Sequence, residues 1–495
     1  MTRSLAVLRQ HRERETLRGP DGKHSDLVLN DLAAAGYWGL LVDRDYGGGG
    51  GELRHFLPFL TQAAAIDQPL AGLAAVHGCI GAVNPLEAFG SETQKRRYLP
   101  ALASGQKLSA FASTEPGAGS DLRAVKTRAV RTQDGWEITG QKAFITNLAP
   151  GRTIGLLCKV DEQLAVFVID LPNRENEHFE LVSNPLHPLQ HTINQGMKLR
   201  SLPIPADAIL RSPEGKDGRA IVYHGLNRGR AAIAALAAGH LRTLLAGMVA
   251  WANERQMQGR KLAELQLIQY RCAHVAALIA ACDALAQWCG ALLDMGQRGE
   301  IECLIAKVFA SEALKHAAFS LALPTHGGRF FLQGHPAGDL AYDYLAPCIY
   351  EGENDLLRLA LFHALTKDDA PPETPPPAAS GDRLTELWHD VGRNFRALLA
   401  QPKLHHSEMI AAAHQVEALT VCEVVRQWQR TATPTEQLAA QLVFQQQLKR
   451  ALVPGGPWLQ PEAARELELG QALLSSENPA FRDAPAFRDP LQNRR

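Results

Sequence analysis

The chain has 495 residues, of which 46% are hydrophobic and 21% are charged, and its formal net charge is −1. The length predicts two to four domains, and the composition is typical of a soluble globular protein. A net charge near zero argues against a strongly basic nucleic-acid-binding protein, so we expect no nucleic-acid partner.

The N-terminus and the cysteines indicate the compartment. The first residues contain no apolar core long enough for a signal peptide. The eight cysteines are scattered without CxxC spacing, which predicts reduced, structural thiols and a cytoplasmic location. The longest apolar stretch, 231–251, is interrupted by His240 and Arg242. We therefore expect a buried helix there and not a membrane span.

In chain order, the hydrophobic pattern predicts a fold that is mainly α with a central β domain. The expected parts are an N-terminal helical domain over 1–109, a middle β domain over 110–215, a C-terminal helical bundle over 216–366, a Pro-rich linker over 367–381 and a helical extension over 382–495. Strands are predicted at 127–130, 136–139, 154–160 and 164–169. Long helices are predicted at 231–251, 263–290 and 301–323.

The extension carries three predicted amphipathic helices, at 384–399, 409–428 and 437–452, and a tandem Pro-Ala-Phe-Arg-Asp at 479–483 and 485–489. Apolar faces of this kind must be buried, either against the chain's own bundle, against a second subunit or in a lipid surface. The extension lacks the dense Lys/Arg face that anionic membranes attract. We therefore favour packing on the chain's own dimer, with membrane association as the less favoured alternative.

Two segments rich in small residues carry the chemical information. Residues 112–121 read Ala-Ser-Thr-Glu-Pro-Gly-Ala-Gly-Ser-Asp, and residues 140–147 read Gly-Gln-Lys-Ala-Phe-Ile-Thr-Asn. Glycines let a backbone approach a flat or anionic ligand, and hydroxyl groups can bond to its edge. We expect two loops here. Together they resemble the flavin-facing and thioester-facing loops of the acyl-CoA dehydrogenase family.

The resemblance covers roughly residues 25–365. Further segments that match the family in order and spacing are Tyr46-Gly47-Gly48, Phe89-Gly90-Ser91, 202–210, Ala252-Asn253-Glu254-Arg255, Leu265-Gln266, Gly327-Gly328 and Ile349-Tyr350-Glu351-Gly352. The resemblance implies the three-domain acyl-CoA dehydrogenase fold, with a β-barrel-like middle domain and a C-terminal four-helix bundle. It also implies FAD as cofactor, an acyl-CoA substrate and no metal site.

The resemblance assigns roles to particular residues. It implies Glu351 as the catalytic base. It implies cofactor-binding roles for Thr114, Phe144, Thr146, Arg255, Gln266, Gly327 and Gly328, and substrate-binding roles for Ser120, Arg230, Tyr350 and Gly352.

The choice of Glu351 rests on two further points. Relatives that place the base elsewhere carry a glutamate at the position that is Gly229 in this chain. The alternative base is therefore absent here. A carboxylate buried against flavin and an acyl chain should have a raised pKa suited to proton abstraction. A nicotinamide cofactor is disfavoured, because Gly117-Ala118-Gly119 is followed by Leu122 where the Rossmann fingerprint needs a small residue.

Four positions depart from the family pattern: Asn227, Gln258, Pro324 and Glu353. A carboxylate at Glu353 would repel the FAD pyrophosphate unless it points away or pairs with a cation. The sequence therefore leaves open whether FAD is held in the usual manner.

Several functional alternatives also stay open. The leading hypothesis is a homodimeric or dimer-of-dimers dehydrogenase of fatty acid metabolism that passes electrons to an electron-transfer flavoprotein. The alternatives are an acyl-CoA oxidase, a dehydrogenase of acyl-carrier-protein thioesters, and a flavin-free acyl-CoA-binding subunit.

Overall fold

The protein is described by a computed structural model over residues 1–214, 216–366, 383–401, 403–452 and 463–475. Its internal contacts divide the chain into two units. The first comprises Met1–Ala232 and Gly290–Glu300, and the second comprises Ile233–Cys289 and the chain from Ile301 onward. Each unit has its own clusters of buried apolar side chains.

The first unit begins with the helices α1 (Thr2–Glu13), α2 (Asp26–Ala34), α3 (Leu53–Ile66), α4 (Gln68–Ala75), α5 (Val83–Phe89) and α6 (Glu92–Ala103). Side-chain caps define where several of them begin. Ser25 Oγ accepts a hydrogen bond from the Val28 amide at the start of α2. Ser91 and Gln94 form a reciprocal capping box at the start of α6. Such caps satisfy amides that have no partner inside the helix.

The first unit continues with a seven-stranded sheet. Its strands are β1 (Ser109–Ala112), β2 (Arg128–Arg131), β3 (Gly135–Thr146), β4 (Thr153–Val160), β5 (Gln163–Asp170), β6 (Phe179–Ser183) and β7 (Asn194–Pro205). β4 pairs with β1 and β2 in parallel and with β5 antiparallel. The remaining pairs are antiparallel: β2 pairs with β3, β3 pairs with β7, and β7 pairs with β6.

The hairpin of β4 and β5 confirms the predicted runs at 154–160 and 164–169. Asp161 and Glu162 connect the strands, with φ angles of 46° and 64°. A two-residue turn of type I′ requires positive φ at both positions, because its twist matches that of the strands. Ile154, Phe167 and Ile169 are buried in the sheet core.

The expectation of a free loop at 140–147 was wrong. Most of this segment is the second half of β3, which pairs with β7. The pairing register shifts between Ile138 and Gly140 and again between Lys142 and Ile145. Irregularities of this kind bend a strand and re-aim its side chains, and Phe144, between the two residues of the second shift, is exposed.

Between residues 216 and 366 the structure has the helices α7 (Arg219–Glu254), α8 (Gln266–Asp294), α9 (Glu300–His316), α10 (Leu323–His326) and α11 (Asn354–Thr366), with the short strands β8 (Gln256–Met257) and β9 (Arg260–Lys261). The three predicted long helices are confirmed, but the third is interrupted. A π-helical turn, Ala317–Ala322, separates α9 from α10.

Among the described residues, three helical stretches are long and apolar enough to cross a membrane by length and composition: Gln68–Phe89, Arg219–Glu254 and Gln266–Asp294. The shares of their apolar windows that are buried inside the protein are 72%, 83% and 78%. The burial accords with the buried helix expected at 231–251.

The extension forms α12 (Arg383–Leu399), α13 (His406–Trp428), α14 (Pro434–Leu452) and α15 (Ala463–Leu474). The first three confirm the predicted helices, and α15 was missed. The tandem Pro-Ala-Phe-Arg-Asp and the Pro-rich linker lie outside the described residues. The apolar face of α12, formed by Leu384, Leu387, Trp388 and Val391, is buried in one cluster with residues of α9 and α11. In the described residues, the extension therefore packs on the chain's own bundle.

Phe395→Ala tests this packing. The Phe395 ring of α12 stacks on Phe362 of α11 with 5.2 Å between centroids, and both rings are fully buried. We expect the variant to lose about 3–5 kcal/mol of unfolding free energy in urea titrations, because it leaves a cavity. Leu452→Ala, at a side chain that is 47% exposed, should change stability by less than about 0.5 kcal/mol. Equal effects would show that α12 does not pack this way in solution.

Candidate active site

The first segment, 112–121, forms a tight loop after β1. The backbones of Glu115 and Ala118 exchange two hydrogen bonds, at 3.0 and 3.1 Å, across Pro116 and Gly117. Thr114 is half-buried and Ser120 is exposed. A Cβ added at Gly117 or at the following Gly119 would meet no atom of the described residues within 4 Å. The loop thus presents bare backbone to open space, where a ligand can approach closely.

A buried ion pair joins this loop to β3. Lys142 Nζ lies 2.9 Å from Glu115 Oε1 and donates a further hydrogen bond to the Ser113 carbonyl at 3.0 Å. The Ala143 amide donates to the Thr114 carbonyl at 3.0 Å. The structure therefore brings together the two segments that the sequence predicted to act together.

Glu115 remains an acceptor in this pair. Burial alone would raise the pKa of its carboxyl group, but the Lys142 ammonium and hydrogen bonds from Thr127 and Lys126 outweigh burial and hold the pKa below its ordinary value. Glu115 is 6% exposed and Lys142 is fully buried, so the joint between the segments is shielded from water.

The end of β3 presents an aromatic ring and a hydroxyl group. Phe144 is 55% exposed and has a φ of 59°, and Asn147 has a φ of 64°. Left-handed backbone at such residues costs free energy and is concentrated at functional sites. Thr146 Oγ1 donates a hydrogen bond to Asn194 Oδ1 at 2.8 Å. The Thr146 oxygen keeps its lone pairs for a second partner.

In the second unit, Glu351 lies in a turn just before α11. Its φ is 57°, and that of Gly352 is 112°. The backbone angle at Gly352 favours glycine, and a Cβ there would also come within 2.7 Å of Leu357 Cδ2, the end of a flexible side chain. Tyr350 is 37% exposed and Glu351 is half-buried. The turn thus holds a carboxylate in a strained backbone conformation.

A buried lysine holds this turn from α9. Lys307 Nζ donates hydrogen bonds to the Gly352 carbonyl and, at 2.7 Å, to Asn354 Oδ1. Asn354 Nδ2 in turn donates to Ser311 Oγ at 3.1 Å and to Glu312 Oε1 at 2.8 Å. The start of α11 is therefore fixed by three side chains of one helix.

Glu353, the departure that raised doubt about FAD, caps α11. Its carboxylate oxygens accept hydrogen bonds from the Asp355 amide at 3.1 Å and the Leu356 amide at 2.9 Å. A helix N-terminus stabilises a carboxylate in this position. The Glu353 carboxylate is therefore engaged by its own helix.

The remaining predicted residues are distributed over both units. In the second unit, Arg255 and Gln266 are exposed and flank the β8–β9 hairpin, whose turn contains Gln258 and Gly259 with φ angles of 53° and 78°. Gly327, also in the second unit, has a φ of 63°. A Cβ there or at Gly328 would meet no atom of the described residues within 4 Å.

Arg230 belongs to the first unit and is 4% exposed. Its Nη1 atom donates to Asn227 Oδ1 at 3.4 Å, and Asn227 Nδ2 donates to the Arg298 carbonyl at 2.8 Å. The departure at Asn227 thus has a structural explanation, since its amide bonds to a backbone carbonyl and to Arg230.

The residues of these arrangements that were not identified from the sequence include Glu115, Lys142, Asn194 and Lys307. The first two lay inside the motifs that were singled out, where a carboxylate in one segment and an ammonium group in the other could have suggested an ion pair. Lys307 lies in the apolar run Leu304-Ile305-Ala306-Lys307-Val308, where one charge also suggests a buried role. Asn194 carried no comparable signal.

Three family models match the chain: the N-terminal domain of acyl-CoA dehydrogenases over residues 6–106, the middle domain over 110–187 and the C-terminal domain over 216–366. The chain belongs to the acyl-CoA dehydrogenase family. This membership places it among the oxidoreductases and confirms the fold class expected from the sequence, with the helical extension added.

Relatives of known name agree with the family. An acyl-CoA dehydrogenase of Bacillus subtilis is 29% identical over 348 residues, covering 68% of this chain and 88% of the relative. The caffeyl-CoA reductase–Etf complex subunit CarC of Acetobacterium woodii is 26% identical over 362 residues, covering 70% of this chain and 91% of the relative.

A solved structure shares the fold over nearly the full length. An acyl-CoA dehydrogenase from Bacillus anthracis, complexed with FAD, superposes with a TM-score of 0.77. The match covers 95% of this chain and 91% of the other, at 22% identity. At this identity the comparison establishes the fold alone.

Lys142→Met tests the joint between the two segments of the first unit. Removing the ammonium group leaves the Glu115 carboxylate buried without its cation, so we expect a loss of about 3–5 kcal/mol in unfolding free energy. Lys159→Met, on β4 of the same sheet, breaks a surface pair with Glu162 and should cost at most about 1 kcal/mol. Urea unfolding measures both. The double variant Lys142→Met/Glu115→Gln should recover part of the loss, and equal losses for the two single lysine variants would contradict the buried role.

Proposed function

We propose that the protein catalyses the FAD-dependent α,β-dehydrogenation of a saturated acyl-CoA thioester to the trans-2-enoyl thioester. The observation that carries the proposal is the turn at Glu351, where a half-buried carboxylate is held at a left-handed backbone angle by a clamp on the next residues. A positioned carboxylate of this kind can accept a proton from a carbon acid.

The residues present fit FAD. The bare backbone of the 112–121 loop, the half-exposed Phe144 ring and the Thr146 hydroxyl offer a surface for a flat, polar-edged ring. Gly327 and Gly328 offer open backbone in the second unit. We propose that Thr114, Phe144 and Thr146 hold the flavin and that Arg255, Gln266 and the glycine pair hold the rest of the cofactor.

When bound, FAD supplies the acceptor for the hydride from the β-carbon, chemistry that no side chain provides. Glu351 removes the α-proton. We propose that its backbone amide donates a hydrogen bond to the thioester carbonyl and stabilises the negative charge that develops on that oxygen. Ser120, Arg230, Tyr350 and Gly352 are the proposed contacts for the substrate. The capping role of Glu353 supports FAD binding, because its carboxylate is turned to its own helix.

We further propose that electrons leave through an electron-transfer flavoprotein in the cytoplasm, and that the protein is a homodimer or a dimer of dimers. The relative named as a subunit of an Etf complex supports the first point. Peroxide release under air would instead identify an oxidase. Preference for an acyl-carrier-protein thioester over the CoA thioester would identify the other alternative.

The purified protein should carry non-covalent FAD. We expect a visible flavin spectrum, release of the flavin on denaturation, and bleaching when a saturated acyl-CoA is added without oxygen. A colourless protein that FAD cannot reconstitute would contradict the proposal and favour an acyl-CoA-binding subunit without flavin.

Glu351→Gln should slow flavin bleaching by at least about 10²-fold, because the amide keeps the size of the side chain but cannot accept the proton. Stopped-flow absorbance measures the bleaching rate, and titration of the flavin spectrum measures thioester binding, which we expect to persist. Glu353→Gln is the matched control two residues away, and it should bleach at near the wild-type rate. The reverse result would make Glu353 the base.

A further inference from the structure

The extension contributes a buried carboxylate to the helix that follows the Glu351 turn. Glu417 of α13 is 1% exposed. Its Oε2 atom accepts a hydrogen bond from Arg358 Nε at 3.2 Å, and its Oε1 atom accepts one from Arg450 Nη1 at 3.1 Å. Arg358 lies on α11 and Arg450 lies on α14. One carboxylate thus connects three helices.

Glu417 is the buried carboxylate that Arg358 and Arg450 share. Arg358 and Arg450 are 4% and 5% exposed. Arg358 also bonds to Asp355 on its own helix at 3.0 Å, but Asp355 is largely exposed. Burial alone would raise the pKa of Glu417, yet the two guanidinium groups and His414 outweigh it and lower that pKa. Glu417 is therefore held as a carboxylate.

The position of Arg358 links this cluster to the Glu351 turn. Arg358 is one helical turn after Asn354, the residue that Lys307 and Ser311 fix at the start of α11. The turn is therefore held at two points. Lys307 fixes the backbone at Gly352, and Glu417 fixes α11 one turn further along. A shift of α11 along or about its axis would move the Glu351 backbone with it.

We propose that Glu417 is a positioning residue for Glu351, by which the C-terminal extension sets the orientation of the base. The inference rests on the proposed function, in which Glu351 removes the α-proton. The extension would then affect the rate of the chemical step as well as the stability of the fold.

The test compares two matched pairs of variants in the full-length, FAD-loaded protein. Glu417→Gln and Glu417→Gln/Arg450→Gln remove the buried carboxylate from Arg358, and the double variant leaves the net charge of the cluster unchanged. Glu423→Gln and Glu423→Gln/Arg426→Gln make the same changes six residues further along α13. Glu423 is equally buried, but its described partners, Arg426 and Gln427, lie on its own helix.

We expect both Glu417 variants to lower the flavin reduction rate at saturating acyl-CoA by about 5-fold or more, since a misplacement of 1 Å can cost about 10²-fold. The acyl-CoA concentration that gives half the maximal rate should change by less than about twofold, because an orientation effect falls on the chemical step. The Glu423 variants should keep the wild-type rate, whatever they lose in melting temperature. All rates are measured well below the lowest melting temperature of the set.

Equal rates for the Glu417 and Glu423 variants would overturn the inference and leave the extension a structural role. A rise in the half-saturating concentration without a fall in the maximal rate would also overturn it. If Glu417→Gln does not fold, the charge-balanced double variant decides. Failure of the proposed function is distinguishable, because the wild-type protein would then not reduce its flavin with any acyl-CoA.

Discussion

The hydrogen bonds from the buried Lys307 ammonium to the Gly352 carbonyl and to Asn354 are the interaction on which the proposed chemistry depends. Left-handed backbone at a residue with a side chain costs about 1–3 kcal/mol, and Glu351 adopts it. Burying an ammonium group costs several kcal/mol more unless it is well paired. The carbonyl and the amide oxygen replace water that Lys307 has lost, and the same hydrogen bonds hold the backbone next to the strained residue.

The first unit uses the same device. Lys142 is also fully buried, and it also donates to a backbone carbonyl, that of Ser113, in addition to an acidic partner. In both units a buried lysine therefore fixes backbone geometry at a segment with a proposed ligand. A carbonyl is available at any residue, so an ammonium group can hold a loop without constraining which side chains that loop presents. The side chains that contact a ligand can therefore be chosen for its chemistry, because they are not needed to hold the loop.

The sequence predicted most of the elements, because their signals are local. The long helices and the β4–β5 hairpin follow from periodicity and from turn residues. The strand character of residues 140–147 was missed, because its glycine and its polar residues resemble a loop and the pairing with β7 lies about 50 residues away. The partners of Lys142 and Lys307 lie 27 and 45 residues away. Periodicity carries no information at such separations. Glu353 is a different case, because the sequence motif gives no sign that its carboxylate caps α11.

The extension shows why a buried ion cluster can be used where apolar packing alone would be more stable. The faces of α12 and α13 that lie on α9 and α11 consist mostly of Leu, Val and Ala, and such surfaces pack in several registers at similar free energy. A buried carboxylate between Arg358 and Arg450 contributes little net stability, because desolvation offsets most of the attraction. Leaving any of the three unpaired is costly, however, so registers that separate them are disfavoured. The cluster thus selects one placement of α13 against α11, and that selectivity is what the helix after the Glu351 turn requires if Glu351 is the base proposed above.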